Sequence, residues 1–468
     1  MYKECKGGLS FERSSSKPTM RKYYQLILVI VALVSALLAL YYHHQYIRIH
    51  NVMEVLNFFG KPGQTASTYD CSSINITNHD QKSLSFADPM PVWQRISDTH
   101  FAYSAFWEQT AHGTEIKVIS VGTGNSDPRF NCSLWFEDRK EPVVGRFSFS
   151  LLDSKENSKN DVKETKIGNV NAYYFYCKTQ EKIGVPYGTA FFKTDDLVPS
   201  EPLIPIQPIT EKVLSENSTA VCIAPGLNPA FPRSLVFEFL SYHQLVGINN
   251  FVFYSKGVPH KTLRVLQNST LWNLLGISLT VLPWNFPYPL AEANVAIKLA
   301  VEKDCILRAA GKVRNVAVLA WNEFIVPRYH RSLAVMFDNF DAGKKTTARF
   351  SIPRIVFCIE YDDDPHTEVS SPLILRKTAY SKQSGLDRPL HVYRPLLVSG
   401  DKVLALTTQS VSQGIAAVHH YTHCSKDDAQ KLHVAEGSMA HDSAMHRFTE
   451  DLKKSRVLRA WFENKLLL

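Results

Sequence analysis

The stretch "RNVAVLAWNEFIVPRY", residues 314–329, decides the fold. Val316-Ala317-Val318-Leu319 is apolar without alternation, the pattern of a strand buried on both faces of a sheet. It ends in Ala320-Trp321-Asn322-Glu323 and passes into a second apolar run, Phe324-Ile325-Val326, closed by Pro327. A buried strand with a polar tip delivers that tip to a crevice at the strand ends, where open α/β sheets hold ligands. One acidic residue, Glu323, stands there.

Working outward, strands and helices alternate. "TAVCIAP" (219–225) is an apolar strand, and "SLVFEFLSYHQLVG" (234–247) carries Val236, Phe239, Leu240 and Val246 at helical spacing, with Gly247 as its stop. "NNFVFYS" (249–255) and "ISLTVLPW" (277–284) are further strands, separated by a short helix near residue 262. A long helix from about Leu290 to Ala310 precedes the opening strand. This alternation predicts an α/β fold, a mostly parallel sheet with covering helices, over 218–468. After His441 an amphipathic helix, with Met445, Phe448, Leu452, Val457 and Trp461 on one side, is expected to dock on it.

Upstream, residues 98–198 hold short alternating segments such as "EIKVISVG" and "NAYYFYC", predicting a small β-rich domain. Prolines at 199, 202, 205 and 208 mark 199–217 as a stiff linker. Residues 43–97, rich in Ser, Thr, Asn and Asp, are expected to form a stem. Tyr23–Tyr42 is almost wholly apolar, and at about 1.5 Å per residue spans roughly 30 Å, one bilayer's hydrocarbon core. Lys3, Lys6, Arg13, Lys17, Arg21 and Lys22 precede it and only Arg48 follows closely. The positive-inside bias therefore predicts a cytoplasmic tail (1–22), a signal-anchor (23–42) and a lumenal remainder. A cleaved signal peptide is the rival reading.

The formal charge of +8 comes from 52 basic and 44 acidic residues interspersed along the chain, so nucleic acid is not an expected partner. Four sequons, at Asn75, Asn131, Asn217 and Asn268, suit a secretory compartment. Beyond the anchor stand seven cysteines without a CxxC, which predicts disulfides with at least one thiol left over. No GxxxxGK[ST], HExxH or GxSxG motif occurs.

Three stretches share a family pattern. "CIAPGLNPAFPRSLVFEFLSYHQLVGINNFVFYS" (222–255), "VEKDCILRAAGKVRNVAVLAWNEFIVP" (301–327) and "AAVHHYTHC" (416–424), with "FAYSAFW" (101–107) before them, resemble glycosyltransferase family 92 in order. A type II anchor, stem and α/β head is the usual build of Golgi sugar transferases, and the resemblance implies a GT-A fold and sugar transfer, galactose in characterised members, from a UDP-sugar to a glycan. It also implies an Asp-x-Asp that holds Mn²⁺ against the diphosphate, as Lewis acid and template. Here Ala320 and Asn322 occupy the two aspartate positions, and Thr422 replaces the late arginine.

The resemblance places Asn322, Glu323 and His420 as metal ligands, with His419 or His423 as substitutes for the last. Ala224, Pro225, Tyr254 and Asp304 become donor contacts, and Arg388 or Arg394 would balance the phosphates in a metal-free site. Glu360, Asp362 and Asp364 in "CIEYDDDPH" are weak candidates for a base. Three accounts stay open: a weakened metal site, a metal-independent one, or a silent protein that binds a glycan or a partner on the same fold.

Overall fold

The computed structural model describes residues 92–463 apart from 111–112, 125–126, 140, 153–169, 181–183, 194–203, 210–214, 227–230, 257, 342–346, 382–387, 400–406 and 425–438, together with six residues between 31 and 38. The expected tail, most of the anchor and stem, Cys71 and Asn75 lie outside them. Val31, Leu33–Ser35, Leu37 and Leu38 are helical and exposed. Among the described residues no helix is long and apolar enough to cross a membrane. Leu84–Leu468 forms one compact unit.

That unit begins with β1 (Gln94–Arg95), β2 (His100–Thr110), β3 (Gly113–Thr123), β4 (Asn131–Trp135), β5 (Val143–Leu151), β6 (Val170–Thr179), β7 (Gly188–Phe192) and β8 (Ile204–Pro208). They pair in the order β1-β2-β3-β6-β5-β4-β7-β8, and β8 also pairs with β2, so seven strands close a barrel. The seam corrects the linker reading of 199–217. Proline's fixed φ suits an extended chain, and the ladder needs donors only at intervals. Ile206 N–H bonds the Tyr187 carbonyl and Ile209 N–H the Trp107 carbonyl, while Pro205 and Pro208 sit where no donor is required. Inside, Ile116, Val118, Phe175 and Phe191 surround the Cys132–Cys177 disulfide. Gly145 passes so close that a Cβ would lie 2.3 Å from Cys177 Sγ.

Next come β9 (Ser215–Ile223), α1 (Ser234–Leu245), β10 (Asn250–Ser255), α2 (His260–Leu266), α3 (Ser269–Leu274), β11 (Ser278–Pro283), α4 (Leu290–Ala309) and β12 (Val313–Leu319). Then follow β13 (Glu323–Pro327), α5 (Leu333–Asp341), β14 (Thr347–Ile352), β15 (Arg354–Cys358), α6 (Leu373–Arg376), β16 (Ala379–Ser381) and β17 (Leu390–Tyr393). The chain continues through α7 (Pro395–Ser399), β18 (Thr407–Ser410), β19 (Ala416–Thr422) and β20 (Met439–His441) to α8 (Thr449–Lys454) and α9 (Arg456–Phe462). The main sheet runs β11-β10-β9-β12-β17-β14-β18. Its first four strands are parallel, as expected, and β17 opposes β12. A second sheet, β13-β19-β15, continues from the end of β12.

Gly247 stops α1 at φ +91°, with the Gly247 and Ile248 amides closing onto Gln244 and His243 carbonyls. The tail is not one helix. It breaks at Ser455, whose hydroxyl caps α9, and the break lets Leu452, Val457 and Leu458 all bury while Trp461 stacks on Phe237 at 4.3 Å.

The sheet's other face carries α4, and α4 carries the barrel. Tyr103, Phe106, Ile119 and Val121 share a core with Ala296, Ala300, Val301 and Val313. This explains why β3 is buried along nearly its whole length, with one face on the barrel interior and one on α4. The last residues assigned to the stem belong here too: Trp93 stacks on Tyr103 at 5.0 Å and meets Trp284 edge-on at 5.4 Å.

Candidate functional site

The strand order turns around at β9, with β10 and β11 on one side and β12 on the other. A crevice forms beyond such a reversal because the connections leave in opposite directions. The Ala224 N–H bonds the Leu319 carbonyl at 2.8 Å, and the Gly226 N–H bonds the Lys256 carbonyl at 3.1 Å. These bonds gather the ends of β9, β10 and β12. Ala224 and Pro225 lie at these strand ends, and Lys256, which the motifs do not single out, lies there too. It is half-buried, its Nζ 5.7 Å above the Phe286 ring, and burial lowers its pKa.

The tip after β12 is a tight turn in which Glu323 N–H returns to the Ala320 carbonyl at 3.1 Å. Trp321 anchors it, edge-on to Phe239 and Phe253 in the core. Glu323 stands opposite His420 in the β13–β19 ladder, and Asn322 Nδ2 donates to the Tyr421 carbonyl at 2.6 Å. The late histidine segment thus borders the tip, as the motif order implies.

Two residues beyond Tyr421, His423 Nδ1 lies 2.9 Å from Glu360 Oε1, and the Cys424 N–H reaches Glu360 Oε2 at 3.1 Å. The Cys358–Cys424 disulfide ties the two strand ends, and Phe231, at the start of the segment leading into α1, packs on the His423 ring at 5.3 Å. Partial burial disfavours the Glu360 charge, but the Cys424 amide and His423 outweigh it and hold its pKa below the usual range. Both side chains are about 40% exposed, so the pair meets solvent.

Several of the other expected contacts are committed to partners inside the protein. Asp304 and Tyr254 are fully buried and bond each other at 2.5 Å. Asp304 also accepts from Ser104 at 2.5 Å and from Arg308 twice, at 2.8 and 3.0 Å. Arg308 goes on to Gln207 at 3.1 Å, so the knot joins β2, β8, β10 and α4 and does not face the rim. Asp304 sits on the face of α4 turned to the barrel, which helical spacing alone does not reveal. Arg394 is buried with its guanidinium 5.4 Å from the Phe350 centroid, and Arg388 is exposed. His419 is fully buried with Nε2 3.2 Å from Asp442, which Arg328 grips as well. Of the acidic loop, Asp364 accepts from Thr378 and the His366 amide, Asp362 is exposed, and Glu360 meets the His423 ring. Asn131 opens β4 partly exposed, Asn217 lies on β9, and exposed Asn268 caps α3.

The residues expected to hold Mn²⁺ do not fit one. Hard divalent ions take several free oxygens, carboxylates first. The single carboxylate here is committed: Glu323 Oε1 is 3.0 Å from Arg354 Nε, and Oε2 accepts the Ala320 N–H at 2.9 Å. Asn322, its Nδ2 held by the Tyr421 carbonyl, offers at most one neutral oxygen in place of a carboxylate. No group of three His, Cys, Asp or Glu among the described residues is placed to share an ion.

A polar crevice at the turning point of a mostly parallel sheet is the usual ligand site of nucleotide-using α/β enzymes. Residues 217–457, a little over half of the chain, match the family model for glycosyltransferase family 92. The chain belongs to that family, whose members use nucleotide-sugar donors. No curated protein matches it. Among solved structures, one assigned as a glucose-1-phosphate thymidylyltransferase of Bacillus anthracis shows 9% identity over 47% of this chain and 97% of that one, with a TM-score of 0.25. A UDP-glucose pyrophosphorylase bound to UDP-glucose shows 8% identity over 53% of this chain and 98% of that one, with a TM-score of 0.22. At these scores the likenesses carry no argument.

Proposed function

We propose that this chain is a Golgi type II membrane enzyme, anchored through residues 23–42, that moves a hexose, first of all galactose from UDP-galactose, onto a glycan hydroxyl. Family membership together with the crevice at the ends of β9, β10 and β12 carries the reading, and the parallel run β11-β10-β9-β12 supports a GT-A arrangement. Ala224, Pro225 and Lys256 form the donor side. His423 and Glu360 form the acceptor side.

In an inverting transfer the acceptor oxygen attacks the anomeric carbon, the bond to the diphosphate breaks, and UDP leaves. The hydroxyl proton needs a base. The Glu360 carboxylate holds His423 Nδ1–H, which leaves Nε2 as the acceptor of that proton. Glu360 is a positioning residue in this scheme. A second reading, a silent glycan- or partner-binding protein, draws on Ala320 and Asn322, where two negative charges of the motif are gone.

The test is release of UDP from UDP-hexoses in the presence of a glycan panel, followed by mass of the product. Turnover that falls roughly 100-fold or more in His423→Ala, with UDP affinity kept, supports the base. UDP binding with no turnover on any acceptor leaves the silent reading.

A further inference from the structure

We infer that this chain holds the diphosphate of its donor without a divalent cation: Arg354 satisfies the carboxylate left from the metal motif, and Lys256 supplies the charge that faces the phosphates. The inference rests on the donor reading above and adds how the donor is held.

The Arg354–Glu323 pair is part of the sheet and not a loose surface contact. β13 and β15 flank β19, with Glu323 opposite His420 and Arg354 opposite Val418. Alternation puts residues 418 and 420 on one face, so the two side chains meet diagonally across the middle strand. Nε lies 3.0 Å from Oε1, and Nη1 is held from behind by the Arg388 carbonyl at 2.7 Å. The side chains are 14% and 9% exposed. A metal ion that took over Glu323 would strand a guanidinium in a site with little water, which is far dearer than the loss of a surface pair. It would also draw the other carboxylate oxygen off the Ala320 amide.

With Ala320 and Asn322 in place of two carboxylates and Glu323 paired to Arg354, the tip leaves no unpaired carboxylate to repel a diphosphate. Lys256 stands across β9 from the Ala320 turn, two strand spacings or about 10 Å away, a distance a nucleoside diphosphate can bridge. Among the described residues no carboxylate lies within ion-pair distance of its Nζ, which rests against Phe286. A half-buried ammonium without a counter-charge gains most from an arriving anion, and phosphate oxygens are its best hydrogen-bond acceptors.

The test titrates UDP into the full chain by calorimetry, first in EDTA and then in excess Mn²⁺. Affinity equal within about twofold in the two buffers is expected, and Lys256→Ala should weaken it roughly tenfold while Lys256→Arg retains it. In parallel, the paramagnetic resonance signal of free Mn²⁺ should persist when the unaltered protein is added. It should fall when the protein carries Arg354→Met, Ala320→Asp and Asn322→Asp together. UDP binding that requires Mn²⁺, or loss of the free-ion signal with the unaltered chain, overturns the inference and leaves the donor reading intact. Unchanged affinity in folded Lys256→Ala overturns the role given to that lysine. Absence of UDP binding in both buffers removes the donor reading and the inference with it.

Discussion

Glu238 shows how far one side chain's burial reaches. It is 2% exposed on α1, where burial lifts its pKa to about 7, and bonds from Ser234 and the Ile374 and Leu373 amides together with Arg376 pull back only part of the rise. The folded protein therefore keeps this proton where the unfolded chain has released it. The stabilisation is complete below the ordinary value of 4.5 and fades as pH climbs to about 7, on the order of 3 kcal/mol in all. His243, lowered to about 3 by burial, works in the opposite direction: its contribution is lost as pH falls below 6.5. The parent's own profile mixes the two, but the difference between Glu238→Gln and the parent isolates the glutamate. Denaturant unfolding should show the variant gaining about 3 kcal/mol on the parent between roughly pH 5 and pH 8. At this scale the sequence was least legible. Glu323 and Asn322 could be placed at a strand tip, but Arg354, which claims Glu323, is distant in the chain and carries no motif. The family resemblance made Tyr254 and Asp304 donor contacts, and nothing local in the sequence says that the barrel covers them.

Elements were more legible, because periodicity and stop signals are local. β9, β10, β11, β12 and α4 fall where apolar runs and helical spacing put them, and Gly247 ends α1 with the positive φ a side chain would resist. The misses have physical causes. The proline-rich 204–208 is a strand because the barrel seam asks for few amide donors, and the tail breaks at Ser455 because two short helices bury more of its apolar face than one straight helix would. Cysteine pairing is invisible in spacing, yet Gly145 marks one bridge. Its missing side chain makes room for Cys132 and Cys177, whose bond closes a 45-residue separation. Gly145→Ala should force the sulfurs or the strand aside, and thiol counting by mass spectrometry should find Cys132 and Cys177 partly free. Loss of that bridge costs about 2–5 kcal/mol, readable as a lower melting temperature.

Over the whole molecule, the barrel and the sheet do not behave as beads on a string. Asp304 and Arg308 are 0% exposed at the side chain, and burial of Arg308 is outweighed by Asp304, which raises the guanidinium pKa above its ordinary value. Asp304→Ala would leave that cation without its partner where β2, β8, β10 and α4 meet. The expected loss is about 3–5 kcal/mol, and denaturant unfolding followed by both near- and far-ultraviolet circular dichroism should move as a single transition. A two-step curve would mean the layers melt apart.

The seam between β2 and β8 has a consequence for biogenesis. Ala105 pairs with Ile206, so the ribosome must deliver about a hundred further residues before β2 finds its last neighbour. Throughout that interval β2 presents a bare edge of unanswered amides and carbonyls, and β7 adds a second once residue 192 is made, an invitation to wrong partners. Truncations that stop just short of residue 204 should therefore be the most aggregation-prone lengths, read as the fraction that pellets after synthesis in vitro.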